Sequence, residues 1–225
     1  MELSKEQIHE IDKYILTCGI KYYDVKMEIV DHFASILEIR LDENSCLNFN
    51  EAIIEEHKKF SNSRFKKLLE AKTKTTHNRF LKQTIINFKS FFKLPKIVIT
   101  VFAYFLLYKL MPYFNNTENF FRVLTGLAFV MIIQLGIRIY INHKQKKEKF
   151  LALNRITFFY QIVSNMAIWF NVILSFRTDK SYLTSVYNNI HLGVFILMLL
   201  MYWSMEYVSQ QNRQQIRKQY PNVFI

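Results

Sequence analysis

Glycine, proline and cysteine are scarce in this chain of 225 residues, which holds four, three and two of them. So few glycines leave little from which to build a phosphate-cradling loop, and no P-loop, GxSxG or HExxH motif occurs. With no enzyme motif present, we expect neither enzymatic activity nor a cofactor. The two cysteines, Cys18 and Cys46, are too few for a disulfide framework, and no CxxC or Cys/His spacing suggests zinc. Cys18 continues an apolar row, which favours a small buried hydrophobe. The stretch from Met1 to Lys13 is charged and amphipathic and lacks the apolar core of a secretory signal. The N-terminal part is therefore expected to stay in the cytoplasm.

What the chain does hold is unevenly spread. Residues 1–60 carry 7 Lys/Arg against 13 Asp/Glu, residues 61–98 carry 10 against 1, and residues 99–225 carry 13 against 4. An acidic head, a basic neck and an apolar body do not resemble a nucleic-acid binder, whose basic residues cluster on one soluble face. A basic neck beside apolar runs suits an anionic lipid leaflet instead.

The head, residues 1–62, reads as three short helices. Ser4 and Gln7 form a capping box, with Leu3 and Ile8 placed as a hydrophobic staple. Ile8, Ile11, Ile15 and Cys18 then share a face, and Gly19 is a stop signal. A second helix has Asp24 as its expected N-cap, with Val25, Ile29, Phe33 and Ile36–Leu37 as its buried row. Asp24, Glu28, Asp31, Ser35, Glu38 and Asp42 form a second row on another face. Asn50 is the expected N-cap of the third helix. Such a head is marginal alone at about 60 residues, which suggests that it docks on something.

The "EIVDH" centre of the second helix and the "FNEAI" start of the third resemble the helical prefix domains ahead of bacterial membrane permeases. This is the permease-prefix or HAAS-like group, as it occurs in Bacteroidota, and the likeness covers about residues 4–62. It implies a regulatory or interaction module and brings no catalytic residues with it. The large permease body of that group is missing from this chain.

His32 stands between the acidic and apolar rows, and His57 takes a similar border on the third helix. Glu28 with His32 at i, i+4 could begin a metal site. The alternative is a half-buried histidine hydrogen-bonded within the helical core. The acid row reads as a solvated face or as a docking face for a basic partner, and the basic neck is the nearest one.

Residues 63–95 read as a basic linker and interfacial amphipathic helix. Leu81, Ile85, Phe88 and Phe92 share its apolar face, and Lys82, Lys89, Lys93 and Lys96 are placed to meet lipid headgroups. Residues 96–209 then hold four apolar segments, about 97–114, 120–141, 156–176 and 187–208, each near the ~20 residues needed to cross a bilayer. A tail of 210–225 follows.

Fourteen basic residues flank one side of these segments: Arg79, Lys82, Lys89, Lys93, Lys96, Arg138, Lys144, Lys146, Lys147, Lys149, Arg155, Arg213, Arg217 and Lys218. Only Lys109, Arg122, Arg177 and Lys180 flank the other, so both termini are expected in the cytoplasm.

Among the polar residues inside the segments are Gln134, Gln161, Asn165, Asn171, His191 and Glu206. Arg138 and Glu206 both fall near cytoplasmic ends, where an ion pair or plain solvation accounts for them. His191 is expected near the outer surface, within reach of water. Gln161, Asn165 and Asn171 suit either interhelical hydrogen bonds or a polar path.

The sequence thus predicts an all-α multi-pass protein of the bacterial inner membrane. A small cytoplasmic helical bundle would be joined by a basic interfacial helix to a four-helix transmembrane bundle. Its expected role is regulatory or scaffolding, with a protein partner for the head, anionic lipid around the body and no nucleic acid; a homo-oligomer is left open. A small transporter or channel subunit is the main alternative, and a metal-sensing head is a further one.

Overall fold

The computed structural model describes residues 2–44, 48–59, 62–144 and 149–223; the side chains of 57, 59, 62–65, 142–144 and 222 fall outside that description. Among the described residues the fold is all-α, with nine α-helices, two short 3-10 turns and no strand. The chain divides into two compact units.

The first unit comprises residues 1–78 and 147–154. It holds α1 (Lys5–Thr17), α2 (Tyr23–Glu43), α3 (Phe49–Lys59), the first part of α4 (Asn62–Ser90) and the opening residues of α7 (Leu151–Ser175). Helix α1 starts at a capping box in which Ser4 Oγ accepts from the Gln7 amide at 3.2 Å and Gln7 Oε1 accepts from the Ser4 amide at 2.8 Å. The helix stops where Gly19 takes a φ of 88°, a left-handed conformation that costs a side-chain-bearing residue more than glycine.

Ile11, Ile15, Ile20, Val25, Ile29, Val30, Phe33, Leu37, Ala52 and Ile53 make the core of this unit, and Leu151 joins it. Ile36 is only half-buried and Ile8 is exposed, so the buried rows are narrower than their spacing suggests. Two caps differ from the expectation. Tyr22, not Asp24, is the N-cap of α2, because the Asp24 carboxylate is turned to another helix. Asn48, not Asn50, supplies the capping oxygen of α3, accepting from the Asn50 amide at 3.2 Å.

The second unit comprises residues 79–146 and 155–225. It contains the rest of α4 and α7 together with α5 (Lys96–Leu110), α6 (Thr117–Lys144), α8 (Asp179–Tyr182) and α9 (Ser185–Gln219). Four stretches are long and apolar enough to cross a membrane: Lys96–Tyr113, Thr117–Ile141, Leu151–Ser175 and Ser185–Gln219. The core is built from Phe120, Phe121, Leu124 and Ala128 of α6, Ala167, Phe170 and Leu174 of α7, and Leu192, Phe195 and Met198 of α9.

Helix α9 is the centre of this unit, with 61% of its most apolar window buried, whereas the corresponding window beginning at Lys96 has 0% buried. An apolar helix that packs on its own chain along one side only, here through Tyr104 and Leu107, and leaves Val98, Phe102 and Phe105 exposed needs an apolar surrounding. Within the tail of 210–225, α9 continues to Gln219, and Asn212 and Ile216 are buried.

Candidate functional site

Three groupings of polar side chains stand out, one in the first unit and two in the second. The first lies where α7 begins. A helix starts with N–H groups that have no intrahelical acceptor, and a carboxylate there gains both hydrogen bonds and a favourable dipole. Asp24 of α2 supplies it, with Oδ1 accepting from the Leu151 amide at 2.9 Å and Oδ2 from the Ala152 amide at 3.3 Å. Three neighbouring contacts close the same clamp. The Tyr23 amide donates to the Lys149 carbonyl at 2.7 Å. Asn154 Nδ2 donates to the Tyr22 hydroxyl at 3.0 Å. The rings of Tyr23 and Phe150 meet at 5.6 Å.

The second grouping is a buried ionic cluster on α6, α7 and α9. Glu206, Ser209 and Arg213 recur at i, i+3 and i+7, which puts them on one face of α9. Glu206 is ion-paired with Arg138. Its carboxylate also accepts from the Tyr160 hydroxyl at 3.0 Å and from Gln210 Nε2 at 2.9 Å. The Tyr160 hydroxyl lies 2.7 Å from Ser209 Oγ and accepts from Arg213 at 3.1 Å. With Glu206 7% and Tyr160 2% exposed, these bonds replace water almost completely. A buried charge persists only when paired and hydrogen-bonded in this way. The cluster is suited to fixing three helices against one another.

The third grouping surrounds Arg177, between α7 and α8. Its guanidinium donates to Asn188 Oδ1 at 2.7 Å, to the Ser181 carbonyl at 2.8 Å and to Ser181 Oγ at 3.2 Å. The ring centroids of Tyr182 and Phe121 lie 4.1 and 5.1 Å from its Cζ, two cation–π contacts. Burial lowers the Arg177 pKa, while the neighbouring Tyr182 pulls it back up. A polar cavity of about 350 Å³ adjoins these residues, lined also by the ion-paired Glu118 and Arg122 and by Asn171.

The residues singled out in the sequence are distributed as follows. Arg138 and Glu206 come together as the buried pair. Gln134 accepts from the Tyr202 hydroxyl at 2.9 Å, joining α6 to α9. His191 is half-buried: its ring packs on Phe121 and Phe170 at 6.0 and 6.4 Å, and its Nδ1 is 3.0 Å from the Tyr187 carbonyl. Gln161 and Asn165 are exposed on α7 while Asn171 lines the Arg177 cavity, so the three do not enclose one path. Glu28 is 2.5 Å from Lys72 of α4, an ion pair between the acid row and the basic neck. His32 is exposed, and the His57 side chain, like Cys46, lies outside the described residues.

Among the described residues, no three His, Cys, Asp or Glu side chains converge as a metal site. Leu81, Ile85 and Phe92 are exposed, and Phe80 and Thr84 form the buried face of α4 in the second unit. Lys82, Lys89 and Lys93 are exposed beside them. Lys96 is engaged locally, donating to Ser90 Oγ at 3.1 Å over the Phe91 ring.

The sequence reading gave no role to Tyr160, Ser209 or Asn188 and counted Arg177 and Arg213 only as flanking charges. The i, i+3, i+7 spacing of Glu206, Ser209 and Arg213 was the one available signal. No family model, no curated protein and no solved structure matches the chain.

Proposed function

We propose that this chain is a non-enzymatic, multi-pass protein of the bacterial inner membrane with a regulatory or scaffolding role. Its N-terminal helical unit faces the cytoplasm and binds a protein partner. The observation that carries this reading is the Asp24 clamp. The clamp holds the first residues of α7 within the N-terminal unit, and so ties that unit's helices to a helix long and apolar enough to cross a membrane.

The partner surface is the exposed side of α2 and α3. Asp31, Asp42, Glu43 and Glu51 are exposed there, and so are Ile39 at 60% and Ile54 at 55%. Apolar side chains among carboxylates suit a basic, partly apolar protein surface. The resemblance of residues 4–62 to permease-prefix domains points the same way. The fourteen-to-four distribution of basic residues supports cytoplasmic termini, and the exposed lysines of α4 support contact with anionic headgroups.

The test is affinity purification in mild detergent, comparing the full chain with its Asp31→Lys/Asp42→Lys variant. A partner held by the first and lost by the second supports the reading. Identical partners for both, or none for either, counts against it.

A further inference from the structure

Helix α7 carries two heptad seams. Ile156, Tyr160, Val163, Ala167, Phe170 and Leu174, spaced 4, 3, 4, 3 and 4, are all buried in the second unit. On the opposite face Phe158, Gln161, Asn165, Ile168, Val172 and Ser175, spaced 3, 4, 3, 4 and 3, are exposed except for the half-buried Val172. A 3.5-residue repeat marks a helix face that interlocks with another helix. The inner seam meets this with apolar side chains buried in the second unit, whereas the outer stripe is apolar at Phe158, Ile168 and Val172 and polar at Gln161, Asn165 and Ser175.

The outer seam is polar at its centre. Gln161 and Asn165 lie within the apolar stretch Leu151–Ser175, and neither side chain makes a hydrogen bond within the described chain. An amide facing hydrocarbon keeps donors and an acceptor that lipid cannot satisfy, and this is costly.

We propose that the outer seam is a homodimer interface, on which a second copy lays its own α7 in parallel so that Asn165 meets Asn165 and Gln161 meets Gln161. This rests on the multi-pass reading above. Every copy inserts with the same orientation, so a two-fold axis along the membrane normal brings each residue to its counterpart at equal depth. A primary amide is suited to meeting itself, because its carbonyl accepts what its NH2 group donates. A foreign helix would have to supply polar groups at both depths. Asparagine at such a seam also fixes register and helix number.

The experiment is a cysteine scan of the full-length chain in native membranes, with Cys18 and Cys46 replaced by serine and mild oxidation as readout. Disulfide-linked dimers should peak at positions 161, 165, 168 and 172 and be weak at 166 and 173. In proteoliposomes, Asn165→Leu should raise the dimer dissociation constant about tenfold, and Asn165→Gln should restore most of it. Single-step photobleaching at every protein-to-lipid ratio would overturn the proposal. So would cross-links that peak off the seam or join only a different protein. A carbonate wash separates the two readings. Release from the membrane removes the multi-pass reading and the dimer with it, whereas an integral but monomeric chain removes the dimer alone.

Discussion

The two carboxylate oxygens of Asp24 accept from the backbone N–H groups of Leu151 and Ala152, 127 and 128 positions later in the sequence. A residue near the start of one helix is thereby the cap of another. The carboxylate pairs with the positive end of α7, so the interaction needs the charge as well as the geometry. Asp24→Ala should cost the first unit about 1 kcal/mol, and Asp24→Asn less, since an amide keeps one acceptor. Hydrogen exchange at Leu151 and Ala152 checks this: their protection should fall in both variants, further in the alanine.

Breaking the buried pair should be far more damaging than a surface change. Glu206→Gln leaves Arg138 without its counter-ion, and about 3–5 kcal/mol of stability is expected to go. Replacing both, as Arg138→Met/Glu206→Met, should cost less than Arg138→Met or Glu206→Met alone, because neither member of the pair is left stranded. Thermal melts in detergent of the three variants would show the order, and strict additivity would contradict it.

How much of this was legible in the sequence depends on the range of the interaction. The capping box at Ser4 and Gln7 and the stop at Gly19 were readable because each is settled within a few residues of chain. Asp24 was misread because its local context, an acid at a helix start, also suits an N-cap; its actual partners lie more than a hundred residues away. The cluster around Glu206 was half visible. An ion pair between Arg138 and Glu206 was one of two readings left open, the other being solvation, while the parts of Tyr160, Ser209 and Arg213 depend on how α7 and α9 pack and were not read. The contact of the tail with α4, where Asn212 donates to Gln83 at 3.2 Å, joins residues 129 positions apart and was not read.

Arg177 should not be replaceable by lysine. The guanidinium is planar, donates through two nitrogens and lies against two rings, none of which an ammonium reproduces together. Arg177→Lys is expected to lose about 2 kcal/mol, and Asn188→Ala about 1 kcal/mol. Equal melting temperatures for wild type and Arg177→Lys would refute this.

Alkaline pH should weaken the first unit through Tyr14. Burial, with the neighbouring Cys18 adding to it, raises the Tyr14 pKa from 10.0 to about 12. The folded state thus holds the phenolic proton more tightly than the unfolded chain. That contribution is fully present below pH 10.0 and is lost as pH rises through about 12. Subtracting the pH–stability profile of Tyr14→Phe from that of wild type should leave a fall confined to this window.

Burial likewise raises the Cys18 thiol, an effect that outweighs the hydrogen bonds from Tyr14 and Thr17. In a Cys46→Ser background, alkylation of Cys18 at neutral pH should be slower in the folded protein than in denaturant. The opposite order would mean that the thiol is activated.

The central claim is that four helices cross the membrane with the N-terminal unit in the cytoplasm. Its most direct measurement is labelling of single cysteines by an impermeant maleimide, in a background with Cys18 and Cys46 replaced by serine. Cysteines at the exposed positions Asn115 and Asp179 should label in intact spheroplasts, and one at the exposed Asn44 only after the membrane is opened. Labelling of all three from one side would contradict the account.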